Sequence, residues 1–161
     1  MNIETGLLWV LRFFGALYLV GGIFGARQSW FWARLEPDMQ RVTKMLEDWE
    51  GDQSRYPDAD EVDNGRNWWL FFGCVLTACA GVAMLLGHAL AVALLAGVIV
   101  HQLFYFMRQR RRELAAKTPE DAADARPQRS TINGFFGALV MAVLAAWLFH
   151  EGALWLTLSG D

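Results

Sequence analysis

The chain has 161 residues, of which 55% are hydrophobic and 19% are charged, and its formal net charge at pH 7 is −3. A soluble domain of this length contains about 45–50% apolar and about 25% charged residues. The apolar excess excludes an ordinary soluble domain because it is concentrated in long runs and does not alternate with polar residues.

Four apolar runs are each close to the ~20 residues that a helix needs to cross a hydrocarbon core about 30 Å thick. They predict transmembrane helices TM1 to TM4 at about 7–26, 68–86, 89–107 and 135–156. The predicted fold class is all-α, an integral membrane four-helix transmembrane bundle with a short amphipathic cytoplasmic helix. The whole chain, 1–161, is expected to form one transmembrane domain.

TM1 is apolar except for Arg12. An unpaired arginine at mid-helix depth costs about 2.5–3.5 kcal/mol on insertion scales. We expect its guanidinium either to snorkel outward or to pair with a carboxylate at the membrane rim. Glu151 is the preferred partner and Glu4 the second choice. Such a pair is either purely structural or the floor of a site for an anionic or quinone headgroup.

The segment between TM1 and TM2, residues 27–67, is predicted to be a cytoplasmic loop that contains the amphipathic helix. Pro37 suits the first turn of that helix. Its apolar residues recur at spacings of three and four, which indicates one apolar stripe. The stripe consists of Met39, Val42, Met45, Leu46 and Trp49. It is expected to lie on the membrane or the bundle, or alternatively to dock a partner protein.

TM2 and TM3 are nearly continuous in sequence, and Gly87-His88 is the natural place for a turn between them. Small residues at a spacing of four recur in every predicted span, which favours close backbone contact in a compact bundle. The predicted contact residues are Gly21 and Gly25 in TM1, Gly73, Thr77 and Gly81 in TM2, Ala89, Ala93 and Gly97 in TM3, and Gly134, Ala138, Ala142 and Ala146 in TM4.

The basic residues predict the orientation of the bundle. All Lys and Arg residues except Arg12 fall in the segments 27–67 and 108–131. The positive-inside rule therefore predicts that both segments are cytoplasmic loops. The N- and C-termini are then non-cytoplasmic, and the expected location is the bacterial inner (plasma) membrane.

With this orientation, polar residues fall into two groups by depth, and ionisable residues inside a membrane are functional candidates. The candidate outer-leaflet polar cluster is Arg12, His88, His150 and Glu151. The candidate inner-leaflet polar group is Cys74, His101 and Gln102. The alternatives are structural: His88 as a turn residue, His101 as a hydrogen-bonded packing residue, and Cys74 as a small packing residue.

Few cofactors fit these groups. A bis-histidine haem site is disfavoured because His88 and His150 both lie near the rim. Zinc held by His88, His150 and Glu151 is geometrically possible, but no ligand spacing favours it. The chain has no phosphate loop, HExxH motif or nucleophile–base pattern. No catalytic residue, metal or cofactor is therefore predicted, while a bound quinone or lipid stays open.

The segment LRFFGALYLVGGIFGAR resembles the first helix of DoxX-like membrane proteins. The matching positions are Leu11-Arg12, Gly15, Tyr18, Gly21 or Gly22, and Arg27. GVAMLLGHALAVALLAG is similar to the second-to-third helix turn of that family, and the four-helix size fits. The resemblance implies a small accessory membrane protein linked to quinone or thiol redox chemistry.

The leading functional hypothesis is a non-enzymatic accessory protein or subunit of a membrane complex. Its expected partners are the lipid bilayer and a membrane protein or further copies of itself, and no nucleic acid. One alternative is a small-solute carrier or channel, although the chain shows no inverted repeat. Another is a quinone- or lipid-binding membrane enzyme in which His101 or His150 handles protons.

Overall fold

The chain folds into helices, and the computed structural model describes residues 3–50, 64–116, 118–127 and 129–155. The helices in these ranges are α1 (Ile3–Glu50), α2 (Asn64–Leu86), α3 (Leu90–Ala115), α4 (Pro119–Asp124) and α5 (Arg129–His150). Four of them are long and apolar enough to cross a membrane, α1 through its part Ile3–Leu35. The predicted all-helical architecture with four candidate spans is confirmed.

α1 is longer than the sequence predicted. Its 48 residues form one uninterrupted helix, so residues 27–50 continue the first span and form no loop with a separate helix. Proline removes one backbone hydrogen bond and crowds the carbonyl four residues before it. Around Pro37 that cost is outweighed, because residues 26–36 contain no glycine and include several strong helix formers. Of the predicted apolar stripe, the side chains of Val42 and Met45 are exposed. Those of Met39, Leu46 and Trp49 lie outside the described residues.

The second predicted loop, 108–131, is also partly helical. α3 continues two turns beyond Met107 to Ala115, and α5 already begins at Arg129. The short helix α4 lies between them, and Arg126 Nε donates to Glu113 Oε1 over 2.8 Å. This ion pair ties the connection back onto the end of α3.

The long helices pack in a ring in which α1 contacts α2, α2 contacts α3, α3 contacts α5, and α5 returns to α1. Each contributes one large, fully buried side chain, namely Leu11, Met84, Leu95 and Leu148. These residues lie toward the end of the bundle that carries the α2–α3 turn, which we call the turn end. The opposite end, where α2 begins and α3 ends, is called the loop end.

Glycines bring the backbones of α1 and α2 into direct contact. A Cβ on Gly81 would lie 2.5 Å from the Leu19 backbone nitrogen, and a Cβ on Gly22 would lie 2.6 Å from the Ala78 nitrogen. A Cβ on Gly15 would lie 2.9 Å from the Gly81 carbonyl oxygen. These positions have no room for any side chain, so the α1–α2 interface requires glycine.

The contact residues differ in part from the predicted spacing-four stripes. Gly21 and Gly134 have nothing within 4 Å of a would-be Cβ, and Ala93 and Ala146 are exposed. The Thr77 hydroxyl donates to the Gly73 carbonyl within its own helix. A spacing of four drifts by about 40° around a helix with each step. Residues spaced by four therefore contact more than one neighbouring helix. In α2, Gly73 faces α3 while Gly81 faces α1.

Two glycine caps close the turn end. Gly87 (φ +67°) follows α2 and Gly152 (φ +72°) follows α5. Both adopt the Schellman pattern, in which His88 N–H donates to the Ala83 carbonyl and Ala153 N–H to the Leu148 carbonyl. The two caps then join through a short parallel bridge. Ala89 N–H donates to the Trp155 carbonyl over 2.8 Å, and Trp155 N–H donates to the Gly87 carbonyl over 3.0 Å.

The α1–α2 contact predicts a sharp difference between two adjacent glycines. Gly22→Ala should destabilise the bundle by about 1–3 kcal/mol, because the added methyl meets backbone atoms of α2 that cannot move aside. Gly21→Ala is the matched control, since its methyl enters open space. Thermal unfolding in detergent measures both variants. Equal melting temperatures for the two would contradict the interface.

Candidate functional site

Arg12 lies at the turn end, half-buried between its own helix and the α2–α3 turn. Its guanidinium carbon is 5.5 Å from the ring centroid of Trp9. The side chains of Arg12 and Trp155 both lie close to Gly87. A Cβ added to Gly87 would be 3.7 Å from Arg12 Nη2 and 3.9 Å from Trp155 Cδ1. The guanidinium therefore sits against the capped turn, and its Nε is buried without a hydrogen-bond partner.

The predicted ion pair between Arg12 and Glu151 is wrong. Glu151 is exposed, and no salt bridge joins Arg12 to Glu151 or to Glu4, all three of which are described. The reason is the cap after α5. The left-handed Gly152 redirects the chain, so that Trp155 crosses the α2–α3 turn beside Arg12. Arg12 instead makes a cation–π contact within its own helix.

The remaining residues of the predicted outer cluster have separate surroundings. His88 Nδ1 accepts a hydrogen bond over 3.1 Å from the N–H of Leu90, the first residue of α3. His150 is exposed at the end of α5. Within the described part of the chain, no three His, Cys, Asp or Glu residues form a group that could hold a metal ion. The zinc alternative through His88, His150 and Glu151 therefore has no geometric basis.

In the loop-end half of the bundle, His101 of α3 stacks on Trp69 of α2. Their ring centroids are 4.5 Å apart with an interplanar angle of 18°. The imidazole of His101 packs against Gly73, because a Cβ added to Gly73 would lie 2.5 Å from His101 Cε1. These contacts join α2 to α3 and leave His101 Nε2 and Trp69 Nε1 buried without partners.

Cys74 does not share the surroundings of His101. Its sulfur would lie 2.7 Å from a Cβ on Gly25, so the thiol packs against α1. Successive residues of a helix point about 100° apart, which is why Gly73 faces α3 and Cys74 faces α1. The predicted inner group therefore divides between two interfaces.

Gln102 and Gln109 carry further buried oxygens. The Oε1 atoms of both lack a hydrogen-bond partner, and the Gln109 side chain is only 4% exposed. They lie seven residues apart, on the face of α3 that also buries Val98 and Tyr105. An unpartnered amide in an apolar environment costs roughly 1–3 kcal/mol, so these oxygens are positions where water or a ligand donor would bind favourably.

Sequence reasoning missed Trp69 and Gln109. Trp69 stands near the start of the predicted TM2, and Gln109 falls in the predicted cytoplasmic loop 108–131. For Gln109 a signal was present: the apolar repeat of α3 at 91, 95, 98 and 105 extends to position 109. For Trp69 the sequence carries no comparable signal, because its partner His101 lies on another helix.

A groove opens along the α2–α3 seam at the loop end. Its volume is about 310 Å³, and its lining residues are Trp69, Phe104, Met107, Arg108 and Arg111. An apolar floor therefore meets two guanidinium groups in one recess. Comparison with protein-family models, curated proteins and solved structures yields no significant match. The DoxX-like resemblance stays a prediction.

The His101–Gly73 contact predicts a specific rescue. Gly73→Ala alone should destabilise the bundle, because the methyl meets the imidazole ring. In a His101→Ala background the same change should be tolerated, with a coupling of about 0.5–3 kcal/mol between the sites. Thermal unfolding of the four proteins of this double-mutant cycle measures the coupling. Purely additive effects would show that the two residues do not touch.

Proposed function

We propose that the chain is a non-enzymatic accessory subunit of a complex in the bacterial inner membrane. Four candidate spans and a ring of exposed apolar side chains favour insertion into a bilayer. Insertion would place the two basic segments on the cytoplasmic side by the positive-inside rule.

The length of α1 carries this proposal. At 1.5 Å per residue its 48 residues extend about 72 Å, more than twice the thickness of a hydrocarbon core. The helix therefore continues well beyond any span that it forms. Val42 and Met45, three residues apart on that extension, are 56% and 70% exposed. A continuous helix with exposed apolar side chains is suited to docking a partner protein.

A second candidate function is the binding of an amphiphile, such as a quinone or a lipid. The specific observation in its favour is the loop-end recess with buried, unpartnered polar atoms beside it. Trp69 Nε1, His101 Nε2 and Gln102 Oε1 lie within a stretch that is otherwise apolar. A ligand with polar groups beside the recess would form hydrogen bonds with these three atoms. It would be either cargo or a bound cofactor of the complex.

The proposed orientation has a direct test. A reporter that is active only in the cytoplasm should give no signal when fused after Asp161, and a strong signal when inserted in the segment between α1 and α2. The reverse pattern would overturn the orientation.

The docking role of the α1 extension can be tested separately. Replacing Val42 and Met45 with Asp should abolish stoichiometric co-purification of a partner from native membranes, because two carboxylates would have to enter an apolar contact. Leu114→Asp is the control, since Leu114 is also apolar, 78% exposed and located at the loop end. The measurement is mass spectrometry of nanodisc-purified protein.

Both variants should melt at the wild-type temperature, because the replaced side chains are exposed. Loss of the partner in the Leu114→Asp control as well would indicate a general charge effect. Retention of the partner after both α1 replacements would refute docking through this helix.

A further inference from the structure

The groove at the loop end combines an apolar and a cationic part on one face of α3. Phe104 and Arg108 are four residues apart, as are Met107 and Arg111, which places all four side chains within about 100° on one side of the helix. Trp69 of α2 forms the opposite wall. Phe104 and Met107 are each at least half exposed, so the floor of the groove opens outward from the bundle.

The order of these residues along α3 matches the polarity of one membrane leaflet. Arg108 lies about 27 Å along the helix from Leu90 at 1.5 Å per residue, close to the thickness of the hydrocarbon core. Arg111 lies one turn further, at headgroup depth. Phe104 lies about 6 Å deeper than Arg108, among acyl chains. A lipid in this leaflet would therefore meet arginine with its headgroup and aromatic side chains with its tails.

Among the residues that the structure describes, the charges around the groove favour an anion. Glu113, the acidic residue nearest to these arginines in sequence, is paired with Arg126 at 2.8 Å. The first turn of α2 contains no acidic residue, and the last turn of α3 adds Arg112. No carboxylate of the described residues pairs with Arg111, whose exposed guanidinium can turn toward a phosphate.

We propose that this groove binds one anionic phospholipid, with its phosphate between Arg108 and Arg111 and its acyl chains along Met107, Phe104 and Trp69. Basic recesses between transmembrane helices on the cytoplasmic side hold anionic headgroups in this way. The volume of about 310 Å³ suits a headgroup and the first part of the chains and leaves the rest of the lipid in the bilayer. This inference rests on the proposed membrane insertion.

The test compares three single replacements in the full chain, reconstituted in nanodiscs with equal amounts of phosphatidylglycerol and phosphatidylcholine. Native mass spectrometry after gentle release counts the retained lipids. The wild type should retain one phosphatidylglycerol in preference to phosphatidylcholine. Arg108→Gln and Arg111→Gln should each weaken this retention about five-fold, the factor expected for one basic residue at a membrane surface.

Arg110→Gln is the matched control, because it removes the same charge from a residue about 160° around the helix from Arg108. It should retain the lipid as the wild type does. Equal loss in Arg110→Gln, equal retention of both lipids, or displacement by millimolar inorganic phosphate would each overturn the site. Resistance of every variant to alkaline carbonate extraction separates these outcomes from a failure of membrane insertion.

Discussion

The backbone contact between α1 and α2 is the constraint on which the rest of the bundle depends. In a bilayer, apolar burial does not drive helices together, so close packing and backbone approach must do so. Gly22 and Gly81 allow that approach, since a Cβ at either position would overlap the other backbone. Once α2 is placed, the tight Gly87 turn places α3, and the bridge from Trp155 fixes the end of α5.

The two ends of the bundle are built differently. The turn end holds the large, fully buried side chains and both glycine caps, whose backbone groups form the cap and bridge hydrogen bonds. The loop end holds the His101–Trp69 stack, the unpartnered glutamine oxygens and the groove with two arginines. At the turn end only Arg12 Nε, among the described side-chain atoms, is buried without a hydrogen-bond partner. The other four such atoms of the described residues lie in the loop-end half of the bundle.

The sequence predicted the four candidate spans and the turn at Gly87-His88, and it singled out Arg12, His101 and Gln102 as polar residues within apolar runs. Long apolar runs and isolated polar residues within them are local features, so they can be read without knowing the fold. The partner of Arg12 could not be predicted in this way. It depended on the Schellman cap at Gly152, which directs Trp155 and not Glu151 over the turn. Trp69 and Gln109 were missed because their burial comes from neighbouring helices.

The sequence by itself determined the helical class, the number of candidate spans and the separation of basic from apolar segments, because hydropathy and charge are properties of each residue. Only the tertiary structure decided which small residues touch. Gly22 and not Gly21 meets α2, although both are glycines in the same helix. It also decided that α1 continues through Pro37 and that Cys74 and His101 face different helices. These outcomes depend on helix rotation and pairing, which arise only when four surfaces pack together at once.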